Sequence, residues 1–113
     1  LSFDDGPGIH TEKILNLLNK FNARACFFLI GNQIQGKEEI VKKIQKEGHC
    51  IANHSFSHSY WIGFWNSEKI QKDLEKCNYE IHKVTGIENK LFRPPFGVTN
   101  PNIKRASESL GLL

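Results

Sequence analysis

The chain lacks several features that would point to particular classes of protein. None of its apolar runs approaches the ~18 residues that a membrane-spanning helix needs. Its charge is mixed: the formal net charge is +3, and no basic stripe marks a surface for nucleic acid. Repeats, low-complexity tracts and linkers are also missing. We therefore expect no membrane span in these residues and no nucleic-acid partner.

Cysteine is scarce, and its spacing excludes the usual cysteine motifs. The three cysteines, Cys26, Cys50 and Cys77, lie far apart and form no C-x-x-C pair. An odd number would be unusual in a disulfide-rich secreted domain. We expect buried thiols that act as small hydrophobic side chains, while a disulfide made by Cys26 or Cys50 remains open.

The composition is that of an ordinary globular chain, with 39% hydrophobic and 24% charged residues. The 113 residues are enough for one domain or part of one. Both ends fall within apolar runs, since the chain begins at Leu1 without a methionine and finishes on residues 110–113. We expect residues 1–113 to be a partial domain that is truncated at both ends. No signal peptide is visible.

Short apolar runs alternate with amphipathic stretches along the whole chain. The predicted strands are residues 1–3, 23–30, 49–53 and one that starts at 91–92. The predicted helices run from Thr11 to about Phe21, from Glu38 to Glu47, from about Ser67 to Thr85, and from an Asn100 cap to Gly111. Such alternation implies parallel strands with right-handed crossovers. Because a complete βα barrel takes ~250 residues, we expect an α/β fold that is about half of a parallel barrel.

Polar side chains follow three of the four predicted strands. Asp4 and Asp5 come just after the first strand, His54 and His58 after the third, and Arg93 ends the fourth. In parallel α/β folds the active site lies at the carboxyl ends of the strands. We therefore expect these groups to converge at one rim and to form the functional site.

The histidines stand four residues apart in the sequence HSFSH. Two imidazoles and one carboxylate suit zinc or a similar divalent metal, with a coordination position left for water. The pair alone is also compatible with two surface histidines in a polar loop.

The acidic pair stands in DDGPG, which is also a common strand-to-helix turn. Neighbouring side chains point in different directions, so one carboxylate can bind a metal while the other reaches a water. Arg93, in FRPPFG, either makes a surface salt bridge or fixes a catalytic carboxylate. In the second case the two prolines hold the segment extended and position the Phe96 N–H as an oxyanion donor.

These motifs, taken together, resemble those of the polysaccharide deacetylases, the NodB homology domain of carbohydrate esterase family 4. SFDDGP is similar to the first motif, HSFSH to the second, H-[ST]-x-x-H, and RPPFG to the third, R-P-P-[FY]-G. The segment ARACFFLIG resembles the strand that the family writes A-T-F-F-x-x-G. The resemblance covers nearly the whole chain and implies about half of the family's distorted parallel βα barrel.

The resemblance also implies a role for each motif residue. The ligands of one divalent metal, most simply zinc with cobalt, nickel or manganese as alternatives, would be Asp5, His54 and His58. Asp4 would be the general base, and Arg93 would orient it. Pro95 and Phe96 would line the sugar groove, with the Phe96 N–H offered to the oxyanion.

The implied function is hydrolysis of N-acetyl groups on a polysaccharide that contains N-acetylglucosamine, such as peptidoglycan or chitin, outside the cytoplasm or at the cell envelope. An O-acetyl esterase acting on a xylan-like polymer and a non-catalytic carbohydrate-binding or metal-binding relative are the alternatives. The family's later L-x-x-H and D-x-x-D-W motifs, which supply the general acid, are absent from these residues. We therefore expect the chain alone to be inactive.

An aromatic cluster follows the histidines, formed by Tyr60, Trp61, Phe64 and Trp65. Aromatic rings can stack on sugar faces, and exposed apolar clusters often mark binding sites. The alternative is that the rings pack the loop onto the barrel.

Overall fold

The computed structural model describes all 113 residues and contains one parallel sheet. Its strands are β1 (Ser2–Gly6), β2 (Cys26–Leu29) and β3 (Cys50–Asn53), in the spatial order β1-β2-β3. The β2–β3 register is continuous from the Cys26–Cys50 pair to the Leu29–Asn53 pair. The predicted parallel α/β architecture is therefore confirmed.

Two predicted strand boundaries were wrong. The fourth strand is a single bridge between Asn53 and Phe92, because Pro94 and Pro95 have no N–H with which to extend a ladder. The first strand is longer than predicted: it continues to Gly6, with an irregular register after Phe3. The acidic pair, which was predicted to follow the first strand, therefore lies within β1.

Four helices accompany the strands. They are α1 (Thr11–Lys20), α2 (Glu38–Lys46), α3 (Ser67–Thr85) and α4 (Pro101–Ser109). Asn100 caps α4 as predicted, since its side chain accepts the Ile103 N–H. Thr11 does not cap α1 from outside; it is the first helical residue, and its hydroxyl accepts the Gly8 N–H at 2.8 Å. None of these helices combines the length and the apolar character required to cross a membrane.

The core consists of two clusters that share α3. The first lies between the sheet and helices α1 to α3, and its largest members include Leu15, Phe27, Leu29, Ile44 and Ile81. The second lies between α3 and α4, with Ile70, Leu74, Ile103 and Ala106 at its centre. Because α3 contributes to both clusters, it joins the sheet to the segment that carries the arginine motif.

The three cysteines do not share one environment. Cys77 is buried on α3, as predicted, and burial raises the pKa of its thiol to about 12. Cys26 is half-buried and Cys50 is exposed, so the expectation of three buried thiols was wrong. Cys26 and Cys50 occupy the sheet face opposite the helices, where no side chain of the first core cluster covers them.

Candidate metal centre and active site

The structure brings the predicted site residues to one cavity of about 370 Å³. β1 supplies the two aspartates, the loop that follows β3 supplies His54 and His58, and the bridge at Phe92 places Arg93 beside them. The cavity is lined by Asp4, Asp5, His54, His58, Arg93, Pro94, Phe96 and Gly97. The carboxyl ends of the strands therefore meet at this site.

Asp5 lies between the two histidines. Its Oδ1 is 3.0 Å from His54 Nε2 and 3.1 Å from His58 Nε2, and the three side chains can place their ligand atoms within 4.8 Å of one another. In a tetrahedral zinc site with bonds of 2.0–2.1 Å, neighbouring ligand atoms are about 3.3 Å apart. The spacing of the carboxylate and the imidazoles is thus close to that of a metal triad.

A backbone carbonyl fixes the tautomer of His54. His54 Nδ1 lies 2.7 Å from the Arg93 carbonyl oxygen, and a carbonyl only accepts hydrogen bonds, so Nδ1 carries a proton. In the neutral ring Nε2 then presents its lone pair to Asp5 Oδ1, which is itself an acceptor. A second hydrogen bond of this type orients most metal-ligating histidines.

Two arrangements satisfy this cluster of acceptors. Either His54 is an imidazolium ion and His58 a neutral ring with its proton on Nε2, so that both donate to Asp5, or a cation lies among the three groups. Two imidazoles and one carboxylate at this spacing are a donor set that suits a divalent cation.

Backbone strain is concentrated at the site. Five non-glycine residues have positive φ, and four belong to the site segments: Asp5 (68°), Ser55 (68°), His58 (51°) and Phe96 (59°). For ordinary residues this left-handed region costs about 1–2 kcal/mol each. Such conformations persist where the surrounding structure over-determines them, and they cluster at functional sites.

Buried polar contacts hold the histidine loop in this conformation. Asn53 is fully buried; its Oδ1 accepts the Ser55 N–H at 2.7 Å, and its Nδ2 donates to the Leu74 carbonyl on α3 at 2.9 Å. The Ser55 hydroxyl accepts the His58 N–H at 2.8 Å. The sequence analysis did not identify Asn53 and Ser55 as site residues. A signal was available for Asn53, because it is a polar residue at the end of a buried strand, directly before the first histidine.

Gly31, just after β2, lets the same loop approach α3 closely. A Cβ at this position would lie 2.7 Å from the Phe56 ring and 3.0 Å from the Cys77 Cα. The Gly31 N–H donates to the Ser55 carbonyl at 2.9 Å, and Asp73 on α3 accepts the Phe56 N–H at 3.0 Å. The loop is thus fixed between β2 and α3.

Arg93 joins the two halves of the site. Its Nη1 donates to Asp4 Oδ1 at 2.6 Å and to the Ser2 hydroxyl at 3.2 Å, while its guanidinium lies 4.1 Å from the centroid of the Phe28 ring. Its carbonyl holds His54. The same residue therefore positions Asp4 through its side chain and a candidate metal ligand through its backbone.

The segment after Arg93 differs from the prediction in one respect. Pro94 is extended, but Pro95–Gly97 forms a 3₁₀ turn, so the two prolines do not hold the whole segment extended. Pro95 is buried, and Pro94 lines the cavity in its place; of the two residues predicted to line a sugar groove, only Phe96 faces the cavity. The Phe96 N–H makes no hydrogen bond within the chain.

The aromatic loop divides into exposed and packed rings. The Phe96 ring lies between His58 and Tyr60, with centroid distances of 4.6 and 4.7 Å. Trp61 is 67% exposed, and Phe64 is 84% exposed with its ring 6.1 Å from that of Trp61. Trp65, in contrast, packs against the second core cluster. The loop therefore carries two aromatic pairs with exposed rings, Tyr60–Phe96 beside the cavity and Trp61–Phe64.

The remaining histidines lie elsewhere. His10 is exposed before α1, His82 is exposed on α3, and buried His49 accepts the Ala25 N–H through Nδ1 at 3.2 Å. None of them lines the cavity. The residues described here thus contain no further imidazole that can donate a proton at this site.

The fold and the site define a class: a parallel α/β protein with a carboxylate, two imidazoles and an arginine-paired aspartate at the strand ends. The model of the family described as "Polysaccharide deacetylase" matches residues 1–113. The chain belongs to the polysaccharide deacetylase family.

Two curated relatives are peptidoglycan deacetylases by name. The chain is 34% identical over 113 residues to the peptidoglycan-N-acetylmuramic acid deacetylase PdaA of Bacillus subtilis, covering 98% of this chain and 43% of the relative. It is 36% identical over 110 residues to a peptidoglycan-N-acetylglucosamine deacetylase of Bacillus cereus, covering 96% and 40%. The chain therefore spans less than half the length of these relatives.

Solved structures share the fold. A family 4 carbohydrate esterase from Streptomyces lividans in complex with acetate superimposes with a TM-score of 0.92 and 30% identity, over 98% of this chain and 57% of that one. A family 4 acetyl xylan esterase from Clostridium thermocellum in complex with a cobalt ion gives a TM-score of 0.88 and 33% identity, over 93% and 52%. The chain thus corresponds to about half of the NodB-type fold.

Proposed function

We propose that this chain carries the metal-binding and proton-accepting half of a deacetylase that removes N-acetyl groups from a polysaccharide containing N-acetylglucosamine. The observation that carries the proposal is the pairing of two adjacent carboxylates with different partners. Asp5 lies between two imidazole nitrogens, while Asp4 is held by Arg93. Each carboxylate therefore has its own chemical role.

The metal site is proposed to be formed by Asp5, His54 and His58. A set of two histidines and one carboxylate suits zinc, and the acetyl xylan esterase that shares this fold was solved in complex with a cobalt ion, which supports binding of a divalent ion. When bound, such an ion supplies Lewis acidity, which lowers the pKa of water and polarises a carbonyl oxygen.

The chain's own residues supply proton transfer and orientation. Asp4 accepts the proton of the attacking water, and Arg93 holds this carboxylate facing the cavity through a 2.6 Å hydrogen bond. The unpaired Phe96 N–H donates to the oxyanion that develops as the acetyl carbonyl is attacked. Positioning of this kind is effective because the groups are fixed before the reaction.

The relatives support the choice of substrate. Both curated relatives are named for removing acetyl groups from N-acetylated sugars of peptidoglycan. Peptidoglycan is a cell-wall polymer, so we place the activity at the cell envelope, outside the cytoplasm. The acetyl xylan esterase makes O-acetyl hydrolysis the second candidate, since an ester carbonyl can bind in the same way.

Acetate release from matched substrates tests the proposal. We expect the full-length protein, loaded with zinc, to release acetate and expose free amines on N-acetylglucosamine oligomers or peptidoglycan. The 113-residue chain alone should release none, because no histidine other than the two proposed metal ligands lines its cavity to protonate the leaving amine. Acetate from acetylated xylan only would establish the esterase instead. Binding of zinc and sugar without release from either substrate would establish the non-catalytic relative.

Trp61→Ala in the full-length protein should weaken the binding of N-acetylglucosamine oligomers. The exposed Trp61 directly follows Tyr60, whose ring stacks on Phe96 at the cavity, and aromatic contacts are worth about 0.5–1.5 kcal/mol, or roughly 2–10-fold in Kd. Calorimetric titration with oligomers of increasing length measures the effect. We expect a larger loss for longer oligomers, which reach beyond the cavity.

Tyr79→Ala is the matched control for this prediction. Tyr79 is also a large exposed aromatic residue, but it lies on α3 and does not line the cavity. Its removal should leave the Kd unchanged. Equal affinities for wild type and Trp61→Ala at every oligomer length would show that Trp61 is not part of a sugar subsite.

A further inference from the structure

A row of small polar side chains crosses the open face of the sheet. Ser2 pairs in register with Cys26, and Cys26 pairs with Cys50 on the next strand. Side chains alternate between the faces of a strand, and the intervening residues Phe27 and Ile51 belong to the helix-facing core. The two cysteines therefore project from the same face as Ser2, which accepts a hydrogen bond from Arg93.

The sheet itself holds the two thiols together. Directly paired residues on neighbouring strands lie about 4.8 Å apart, within the range of about 4.4–6.8 Å between Cα atoms that a disulfide requires. The backbone fixes this pairing, since the Cys50 N–H donates to the Ala25 carbonyl at 3.0 Å. The two Sγ atoms are in contact at 2.6 Å. No backbone movement is needed to bring the sulfurs together.

The two thiols differ in access. Within these 113 residues, which correspond to about half of the fold, Cys50 is exposed and Cys26 is half-buried. Cys77 is buried on α3, where its Sγ contacts the Leu29 carbonyl at 3.5 Å on the opposite side of the sheet. Cys77 is therefore too deeply buried, and on the wrong side of the sheet, to form a disulfide with either of the other cysteines.

We propose that Cys26 and Cys50 form a cross-strand disulfide that opens and closes by thiol–disulfide exchange, on the same sheet face as the Asp4–Arg93 pair. This covalent site is independent of the proposed metal centre and of its substrate. It joins β2 to β3 two residues before Phe28, whose ring contacts the Arg93 guanidinium.

The exchange takes place in two balanced steps with a low-molecular-weight disulfide, such as glutathione disulfide, as the oxidant. The Cys50 thiolate attacks one sulfur, forming a mixed disulfide and releasing one small thiolate. Cys26 then loses its proton, and its thiolate attacks Cys50 Sγ, which forms the protein disulfide and releases the second small thiolate. Two protein thiols are oxidised, one small disulfide is reduced to two thiols, and the two cysteine protons pass to the released thiolates.

The environment of Cys26 agrees with this order. Desolvation, together with the hydrogen bond and charge of Cys50, raises the pKa of Cys26 to about 12, so its thiol is a poor first nucleophile. Formation of the mixed disulfide removes the charge and the thiol of Cys50. Arg93 continues to favour the Cys26 thiolate, so the second step becomes easier once the first has occurred.

Mass spectrometry of the native full-length protein tests the proposal. The reduced protein is incubated with glutathione disulfide, free thiols are alkylated, and the protein is digested without reduction. We expect a peptide pair linked through Cys26 and Cys50 with the loss of two hydrogens, reversed by dithiothreitol. Because oxidation joins two strands, the unfolding midpoint of the oxidised protein should also lie above that of the reduced protein.

Single substitutions supply the controls. Cys77→Ser should form the linked peptide as wild type does, whereas Cys26→Ser should stop at the mixed disulfide on Cys50. Circular dichroism checks that each variant is folded. If a variant is unfolded, the digest of the wild-type protein still shows whether Cys26 and Cys50 are linked. A wild-type protein that retains both free thiols, accumulates only the mixed disulfide, or links through Cys77 or between molecules would overturn the proposal.

Discussion

Asp4→Asn should reduce deacetylation by the full-length protein by about 10²–10⁴-fold, the contribution typical of a positioned general base. The amide has nearly the same shape and keeps an oxygen that accepts from Arg93, 2.6 Å away in the wild type, but it cannot take a proton from water. The measurement is kcat for acetate release from N-acetylglucosamine oligomers, with zinc affinity measured in parallel. We expect kcat to fall while zinc affinity stays within a few-fold.

Glu12→Gln is the matched control for the loss of a carboxylate. Glu12 is exposed on α1, where it pairs with Lys43, and it does not line the cavity. This variant should retain the wild-type kcat. If Asp4→Asn turned over at the wild-type rate, another group would have to be the base. If it lost zinc together with activity, Asp4 would act on the metal site and not on the water.

The position of this site could be predicted because a simple topological rule connects sequence to space. Asp4, His54 and Arg93 are far apart in the chain, yet each lies at the carboxyl end of a β segment. Parallel strands bring their carboxyl ends to the same edge of the sheet, and this does not depend on the sequences of the helices between them. Alternating apolar and amphipathic stretches were therefore enough to predict both the fold and the convergence.

The contacts that fix the site's geometry could not be predicted in the same way. The group that orients His54 is the Arg93 carbonyl, and every residue has a carbonyl, so no side-chain pattern indicates it. Asn53 is similar: its role depends on α3 presenting the Leu74 carbonyl to it across the core. These are tertiary hydrogen bonds, which become visible only when the elements are packed.

The errors in the strand predictions also have physical causes. The sequence LFR before the two prolines has the apolar character of a strand, but the chain pairs with β3 at Phe92 alone before the missing proline N–H groups end the ladder. The partial exposure of Cys26 was missed because the sequence of β2 resembles that of a strand buried on both faces. In this chain only one of its faces is covered by helices.

His54→Ala should lower the zinc affinity of the full-length protein by more than about 100-fold, since the loss of a supporting partner alone costs about 10–100-fold. His54 contributes the Nε2 lone pair that its hydrogen bond to the Arg93 carbonyl directs at Asp5. Competition with a fluorescent zinc chelator measures the Kd. Removal of zinc from the wild type with a chelator should abolish acetate release, and added zinc should restore it.

His82→Ala is the matched control, because His82 is an exposed histidine on α3 outside the cavity. It should bind zinc with wild-type affinity. Comparing the zinc affinities of the two variants decides whether a cation or ring protons lie between Asp5 and the histidines. If a cation lies there, the loss of His54 removes one of its ligands and zinc dissociates. Equal zinc affinities in wild type, His54→Ala and His82→Ala would instead show that Asp5 and the histidines form an ion pair, with no metal between them.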